Sequence, residues 1–344
     1  MIIYILFYII IFLLSLKVKP KKYTFIDYLI LILMVLFSGL RACGTDYFLY
    51  KFFYELINET TVAASRTGIG FTYLRIFFHN VLHLDYQFLI LFVSAVTNLC
   101  IYKFIKEKSN KPGLALLCYI SFGFYTNSFN MFRQMMSISL VLIGTLYWEK
   151  GNKLISIIFY IFGFLLHSVS LVGIIIYSLD KFFRMIKLDP IIVIIIFIIF
   201  YLTYDKFFDL IMNFIPSLSI YKNRDYIPGL GTYLIIIVNC IIFVFLSLFK
   251  KKIVDSDSMI NKYFNYFAIA IIISSFQLKN YLFMRIVVYF SIFMPLLIAE
   301  FYEKLNINNN KIISFLLYIT IFVYFLIYTN SFGGVVPYHF FFNR

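Results

Sequence analysis

The sequence predicts an all-α polytopic membrane protein with about 12 membrane helices, among them a short bent helical hairpin, and with both termini outside. Three observations carry that prediction. The chain is 62% hydrophobic over 344 residues, with a mean hydropathy of +0.92, well beyond a soluble domain of this size. Its apolar residues fall in repeated runs of about 13 to 20 residues, the length that crosses a bilayer core. Its lysines gather between those runs and serve as a compass for orientation.

Taken in order, residues 2–16 form the first span. No basic residue precedes this run and no small-residue cleavage site follows it, so it reads as a retained helix rather than a cleaved leader. Lys17, Lys19, Lys21 and Lys22 then mark the cytoplasmic side, and residues 25–40 return outward. Residues 41–70 form an outer-face loop region. Within it Gly44-Thr45-Asp46 is a turn with a helix N-cap signal, and the following helix puts Tyr47, Tyr50 and Tyr54 on one face. Residues 69–84 read as a helix lying at the outer interface, and 86–102 cross inward to Lys103, Lys106, Lys108 and Lys111.

Residues 113–125 cross outward and 126–130 form a short outer turn. Arg133 opens the next inward span. Residues 154–179 have the length of one span, but the triple lysine 250–252 requires a different parity. The count closes if this run enters and returns as two short helices bent near His167-Ser168, which brings His167 to the outer side. Residues 190–204 and 232–249 bracket a second outer-face loop, 205–231. The remaining spans are 263–276, 285–299 and 312–328, and residues 329–344 end outside. The whole chain, 1–344, is thus one integral membrane domain with no soluble module.

The net charge of +14 does not indicate nucleic-acid binding, because the basic residues are scattered between apolar runs. Four distant cysteines give neither metal-ligand spacing nor a disulfide framework. The two kinds of basic residue sort differently. By this topology 18 of 22 lysines lie inside, whereas seven of eight arginines lie outside. Guanidinium is suited to bidentate capture of phosphate or carboxylate, so an outer anion is expected.

Arg133 and Arg285 each open an inward span after a short outer turn, and two cations at equivalent depth suit a pyrophosphate. Their plainer role is snorkelling or helix capping. Arg41 and Asp46 flank the Gly44 turn and suit either substrate contact or a local ion pair. His167 is the only histidine inside an apolar run, either a general base or a satisfied buried residue. His79 and His83 have i, i+4 spacing but no third ligand, so no metal is expected. No carboxylate lies mid-span, which argues against an ion-coupled transporter. The loop containing Arg224 is a candidate cover for an outer cavity, or an ordinary solvated loop.

The pattern Arg41-x-x-Gly44-Thr45-Asp46-Tyr47-x-x-Tyr50, then Phe132-Arg133-Gln134, then Leu166-His167-Ser168 and a late Arg285, resembles the EpsG family of Wzy-like polymerases of O-antigen, capsule or exopolysaccharide. One departure is visible: family members often carry a glutamate ahead of the Gly-aromatic entry that here reads Ile69-Gly70-Phe71. The resemblance implies glycan transfer from undecaprenyl pyrophosphate to a second lipid-linked repeat unit, at the outer leaflet of the bacterial cytoplasmic membrane. It implies no cofactor, a lipid-linked glycan and membrane lipid as partners, and a flippase and a chain-length regulator nearby. By that resemblance His167, Arg133 and Asp46 are the catalytic candidates, and Arg41, Arg285, Tyr47, Arg224 and Gln134 the substrate-binding ones. The competing readings are an O-antigen ligase-like transferase, a lipid-linked sugar flippase and a membrane acyltransferase.

Overall fold

The computed structural model describes residues 1–57, 68–214, 226–250 and 258–342. These residues are helical throughout apart from turns and one isolated antiparallel bridge between Arg41 and Phe340. The helices divide into two compact units, Met1–Ser178 with Ile298–Arg344, and Leu179–Leu297.

The first unit begins with α1 (Ile2–Ser15), whose Tyr4, Phe7, Tyr8 and Ile11 are buried at one-face spacing while Leu6, Ile9, Ile10 and Leu13 stay exposed. An exposed apolar face on a well-packed helix is what a lipid environment requires. It is followed by α2 (Phe25–Gly39), α3 (Tyr47–Glu55), α4 (Ile69–Ile76) with a π-helical turn at Phe77–Val81, and α5 (Tyr86–Lys108). Next come α6 (Pro112–Ser121), α7 (Phe124–Asn130), α8 (Phe132–Glu149), α9 (Lys153–Leu166) and α10 (Ser170–Ser178). The second unit holds α11 (Asp180–Met185), α12 (Pro190–Phe214), α13 (Leu230–Leu248), α14 (Ser258–Gln277) and α15 (Leu282–Ser291). α16 (Met294–Lys304) and α17 (Lys311–Ser331) close the chain. Five described helical stretches are long and apolar enough to cross a membrane, α15 and α16 counting together as Leu282–Lys304, and four shorter apolar helices accompany them. The chain is therefore a polytopic helical membrane protein.

Two boundaries differ from the sequence reading. Residues 126–130 are not a turn but part of α7. The chain breaks earlier, at Gly123, which adopts a left-handed φ of 81° with the Tyr328 ring packed where a Cβ would lie. α12 also runs through 205–214, which had read as loop. Its polar Asp205, Lys206 and Asp209 alternate with Tyr204 and Phe208, and these pack on Phe276 and Phe283.

The run 154–179 does break, at His167. Its backbone is extended between α9 and α10. Both helices pack on α8, and the Ser178 hydroxyl returns to the Tyr160 hydroxyl, so α10 folds back along α9.

In the first unit α2 and α8 run antiparallel and parallel to α5, respectively, so that each has one end at Tyr86 and one at Lys108. At the Lys108 end the charges are lysines. Lys106, fully buried, meets Asp27 at 2.6 Å and the Lys22 carbonyl at 2.8 Å, and also bonds the Lys19 carbonyl. Asp27 in turn accepts from the Tyr102 hydroxyl at 2.6 Å and the Thr24 N–H at 2.7 Å. Lys108 pairs with Glu149, and Lys150 with Glu107 at 2.9 Å. The second unit uses the same device: buried Lys262 meets Asp180 at 2.5 Å, while Asn261 and Asn265 fasten the carbonyls of Phe183, Arg184 and Ile186.

Candidate functional site

The opposite end of the first unit is an arginine end. Gln87 and Lys106 stand 19 residues apart on α5, about 29 Å at the helical rise, one hydrocarbon-core thickness.

At this end α3 lies over α4, α5 and α8 by its tyrosine face. The Tyr47 hydroxyl donates to Gln87 Oε1 at 2.9 Å. The Tyr50 hydroxyl accepts from Arg133 Nε at 2.9 Å, and the Tyr54 hydroxyl donates to the Leu84 carbonyl at 2.6 Å. The face expected from i, i+3, i+7 spacing is thus the face used, and each phenol finds a polar partner as it is buried.

Arg133 is half-buried at the start of α8. Its guanidinium carbon stands 5.2 Å from the Tyr50 ring centre and 5.5 Å from that of Phe71. It forms no ion pair among the described residues. Arg75, on α4, approaches the same Phe71 ring at 5.9 Å, donates to the Phe53 carbonyl and lies close enough to Arg133 for the two charges to repel. Two guanidiniums flanking one aromatic ring form a doubly cationic cluster, stabilised by the ring's negative faces. Arg75 was legible only as one of several outer arginines; its nearness to Arg133 depends on α4 packing.

That packing rests on glycines. A Cβ on Gly68 would lie 2.8 Å from the Leu166 carbonyl oxygen, and one on Gly70 would lie 2.7 Å from Leu165 Cβ. Only glycine lets the start of α4 sit on the end of α9, the residues immediately before His167. Ile69 itself is 67% exposed.

α9 runs antiparallel to α8, with the Ser137 hydroxyl donating to the Gly163 carbonyl at 2.7 Å. Arg133 lies one turn before Ser137 and His167 one turn after Gly163, so both sit at the same level. His167 is buried, and Gln134, beside Arg133, is buried too.

Arg41 has a different character. It is 2% exposed, bonds the Ser38 carbonyl and, at 3.0 Å, the Phe129 carbonyl, and stacks 4.6 Å over the Phe129 ring. It does not pair with Asp46, so the expected local ion pair does not form. Asp46 precedes α3 without capping it through its side chain; its carboxylate accepts from the Thr45 hydroxyl at 3.3 Å. Arg41 is thus a positioning residue that ties the loop to the segment entering α8.

The C-terminal tail completes this end. Ala42 N–H donates to the His339 carbonyl at 2.7 Å, and Phe341 N–H to the Leu40 carbonyl at 3.0 Å. Gly44 and Thr45 bond the carbonyls of Gly334 and Gly333, and Asn130 Nδ2 also reaches Gly333 at 2.9 Å. In the sequence the tail read only as an outer end.

Arg285 sits half-buried on α15 in the second unit. Arg224 lies outside the described residues. His79 stands in the π turn and His83 beyond it in a left-handed conformation, φ 50°. Among the described residues no three His, Cys, Asp or Glu side chains gather as metal ligands.

The first unit thus carries paired guanidiniums and a buried histidine at one end of a helical membrane bundle. The comparison with known proteins sharpens this: residues 24–340 match the EpsG family, so the chain belongs to the EpsG family, which comprises Wzy-like polysaccharide polymerases. No curated protein and no solved structure matches it.

Proposed function

We propose that this protein joins undecaprenyl-pyrophosphate-linked oligosaccharide repeat units at the outer leaflet of the cytoplasmic membrane, extending a surface polysaccharide. The observation that carries the reading is Arg133. It is a guanidinium at the start of α8, level with the buried end of the bundle, held by a phenol and two rings, with no ion pair among the described residues. A charge kept there without a counter-ion is costly unless an anion is to be bound. The lipid pyrophosphate supplies that anion.

In this scheme Arg133, with Arg75, neutralises the charge that develops on the leaving pyrophosphate. His167 takes the proton from the acceptor hydroxyl, whose oxygen forms the new bond to the donor's anomeric carbon. The bond from that carbon to the pyrophosphate oxygen breaks, and undecaprenyl pyrophosphate leaves with both electrons. A single displacement inverts the anomeric centre. Arg41 positions the loop, Asp46 is the substitute base, and Tyr47 and Gln134 shape the surroundings. Arg285 and Arg224 keep the substrate-binding role that the sequence suggests. A flippase delivers the lipid-linked units and a chain-length regulator sets the product size.

The test is a gel of surface glycan from a deletion strain carrying variants. Single repeats without a ladder in the deletion strain identify a polymerase, whereas unattached polymer identifies a ligase. Arg133→Ala lowers polymer yield by about 100- to 1000-fold, the cost of losing an anion-stabilising donor, at unchanged protein level in the membrane. His167→Gln lowers turnover by about 100-fold or more while lipid-substrate binding persists. Normal ladders in Arg133→Ala and Arg285→Ala together would end the pyrophosphate assignment. Loss of protein in His167→Gln would make that histidine structural.

A further inference from the structure

Beside the arginine cluster lies a cavity of about 600 Å³ that the scheme above does not use. It is lined by Tyr47, Tyr54 and Tyr86 at its back, and by Lys51, Glu55, His79, His83, Asp85 and Phe88 nearer its mouth. The three tyrosines pack edge to face, Tyr86 lying 5.4 Å from Tyr47 and 5.5 Å from Tyr54. Tyr86 also stands within electrostatic reach of Arg41 and Arg75. One layer of tyrosine therefore separates this cavity from the cations.

The two sides of that layer differ in charge. The arginine side carries Arg75 and Arg133. The cavity side carries Lys51 against Glu55 and Asp85. Its formal balance is one negative charge. A pyrophosphate or an anionic lipid headgroup is disfavoured there. What remains is a large space edged with short-range hydrogen-bonding groups of both kinds and with exposed aromatic surface: Phe88 is 50% exposed and Phe341, also in the lining, 39%. Stacking rings beside mixed donors and acceptors recognise the C–H faces and hydroxyls of a sugar.

The backbone is bent to build this lining. The π turn Phe77–Val81 carries His79, whose ring meets the Tyr54 ring edge-on at 5.1 Å. His83 holds a left-handed conformation, uncommon for a non-glycine residue. The turn is closed by Leu82 N–H on the Phe77 carbonyl and Leu84 N–H on the Phe78 carbonyl, both at 2.9 Å. Two neighbouring backbone irregularities face one cavity, the arrangement common at binding sites.

We infer that this cavity binds the uncharged sugar portion of the substrate, holding about two or three sugar rings by its volume while the pyrophosphate is held across the tyrosine layer. The inference rests on the polymerase reading for the identity of the glycan. It does not rest on it for the existence of the site.

The test uses full-length protein in detergent micelles or nanodiscs. The probe is oligosaccharide released from the producing strain's own surface glycan, free of lipid and phosphate, followed by saturation-transfer NMR. Wild type binds it. Lys51→Ala/Phe88→Ala weakens binding at least tenfold, while Tyr73→Ala, an exposed aromatic outside the cavity, leaves it unchanged. Arg133→Ala keeps oligosaccharide binding within twofold yet loses binding of inorganic pyrophosphate. Reducing the oligosaccharide's end to the alditol distinguishes the two substrates: retained binding means the acceptor's terminal sugars are read, and lost binding means the donor's reducing end is. No binding to wild type at millimolar probe overturns the inference, as does binding unaffected by the double variant at unchanged thermal stability. Chain-labelled lipid contacting Phe88 in place of sugar also overturns it. Each of these leaves the Arg133 ladder result standing, so the two ideas fail separately.

Discussion

Lys106 and Arg133 are both cations at the ends of first-unit helices, and they are solvated in opposite ways. Lys106 is fully buried and saturated: its three donors meet one carboxylate and two carbonyls. Arg133 is half-buried and receives one phenol oxygen and two ring faces. A saturated cation has no capacity left for a ligand and acts as a fastening. An unsaturated one, held rigidly by aromatic surface, keeps its remaining donors for something that arrives. Lys262, paired with Asp180, belongs with Lys106. Arg41 stands between Lys106 and Arg133: its terminal nitrogens serve two carbonyls, while its Nε is buried with no hydrogen-bond partner among the described residues.

This contrast can be broken by experiment. The largest effect is expected at the saturated end. Lys106→Ala strands Asp27 as a buried, unpaired charge and costs about 3–5 kcal/mol, read as lost protein in the membrane fraction or a collapsed thermal transition. An active, normally abundant Lys106→Ala protein would remove the distinction. Next, Arg75→Ala removes one of the two guanidiniums on Phe71 and lowers polymer yield about tenfold to 100-fold, with expression unchanged. If it instead lowers abundance, Arg75 is a fastening like Lys106. The smallest effect is at Tyr50→Phe. It removes only a hydrogen bond to a charged group, about 1.5–3 kcal/mol, and lowers turnover by roughly tenfold while the ring still supports Arg133. A fully active variant would show that the ring alone positions the guanidinium.

How much of this was legible depends on the range of the interaction. The apolar runs became helices, and the break at His167 followed from counting lysines, because both rest on local composition and on one global constraint. The tyrosine face of α3 followed from helical spacing. The companion of Arg133 did not. Arg75 sits in a helix of modest apolarity, and only the close approach of Gly68 and Gly70 to Leu165 and Leu166 brings it to Phe71. The extension of α12 through 205–214 was hidden because polar residues on one face of a helix resemble a loop when read one at a time. The Arg41 turn gave the right residues and the wrong partner: Asp46 is near in sequence, whereas the Phe129 carbonyl is near in space.

The tail that pairs with residues 40–45 has a consequence for how the protein is made. Residues 333–341 leave the ribosome after every helix of the bundle, yet they supply the carbonyls and N–H groups that the Arg41 stretch bonds. Until they emerge, that stretch lacks its backbone partners and Asn130 lacks its contact with Gly333. The arginine end is therefore the last part of the first unit to take its final shape. A nascent or truncated chain can insert every span and still be without a finished site, which separates membrane integration from the onset of activity in time.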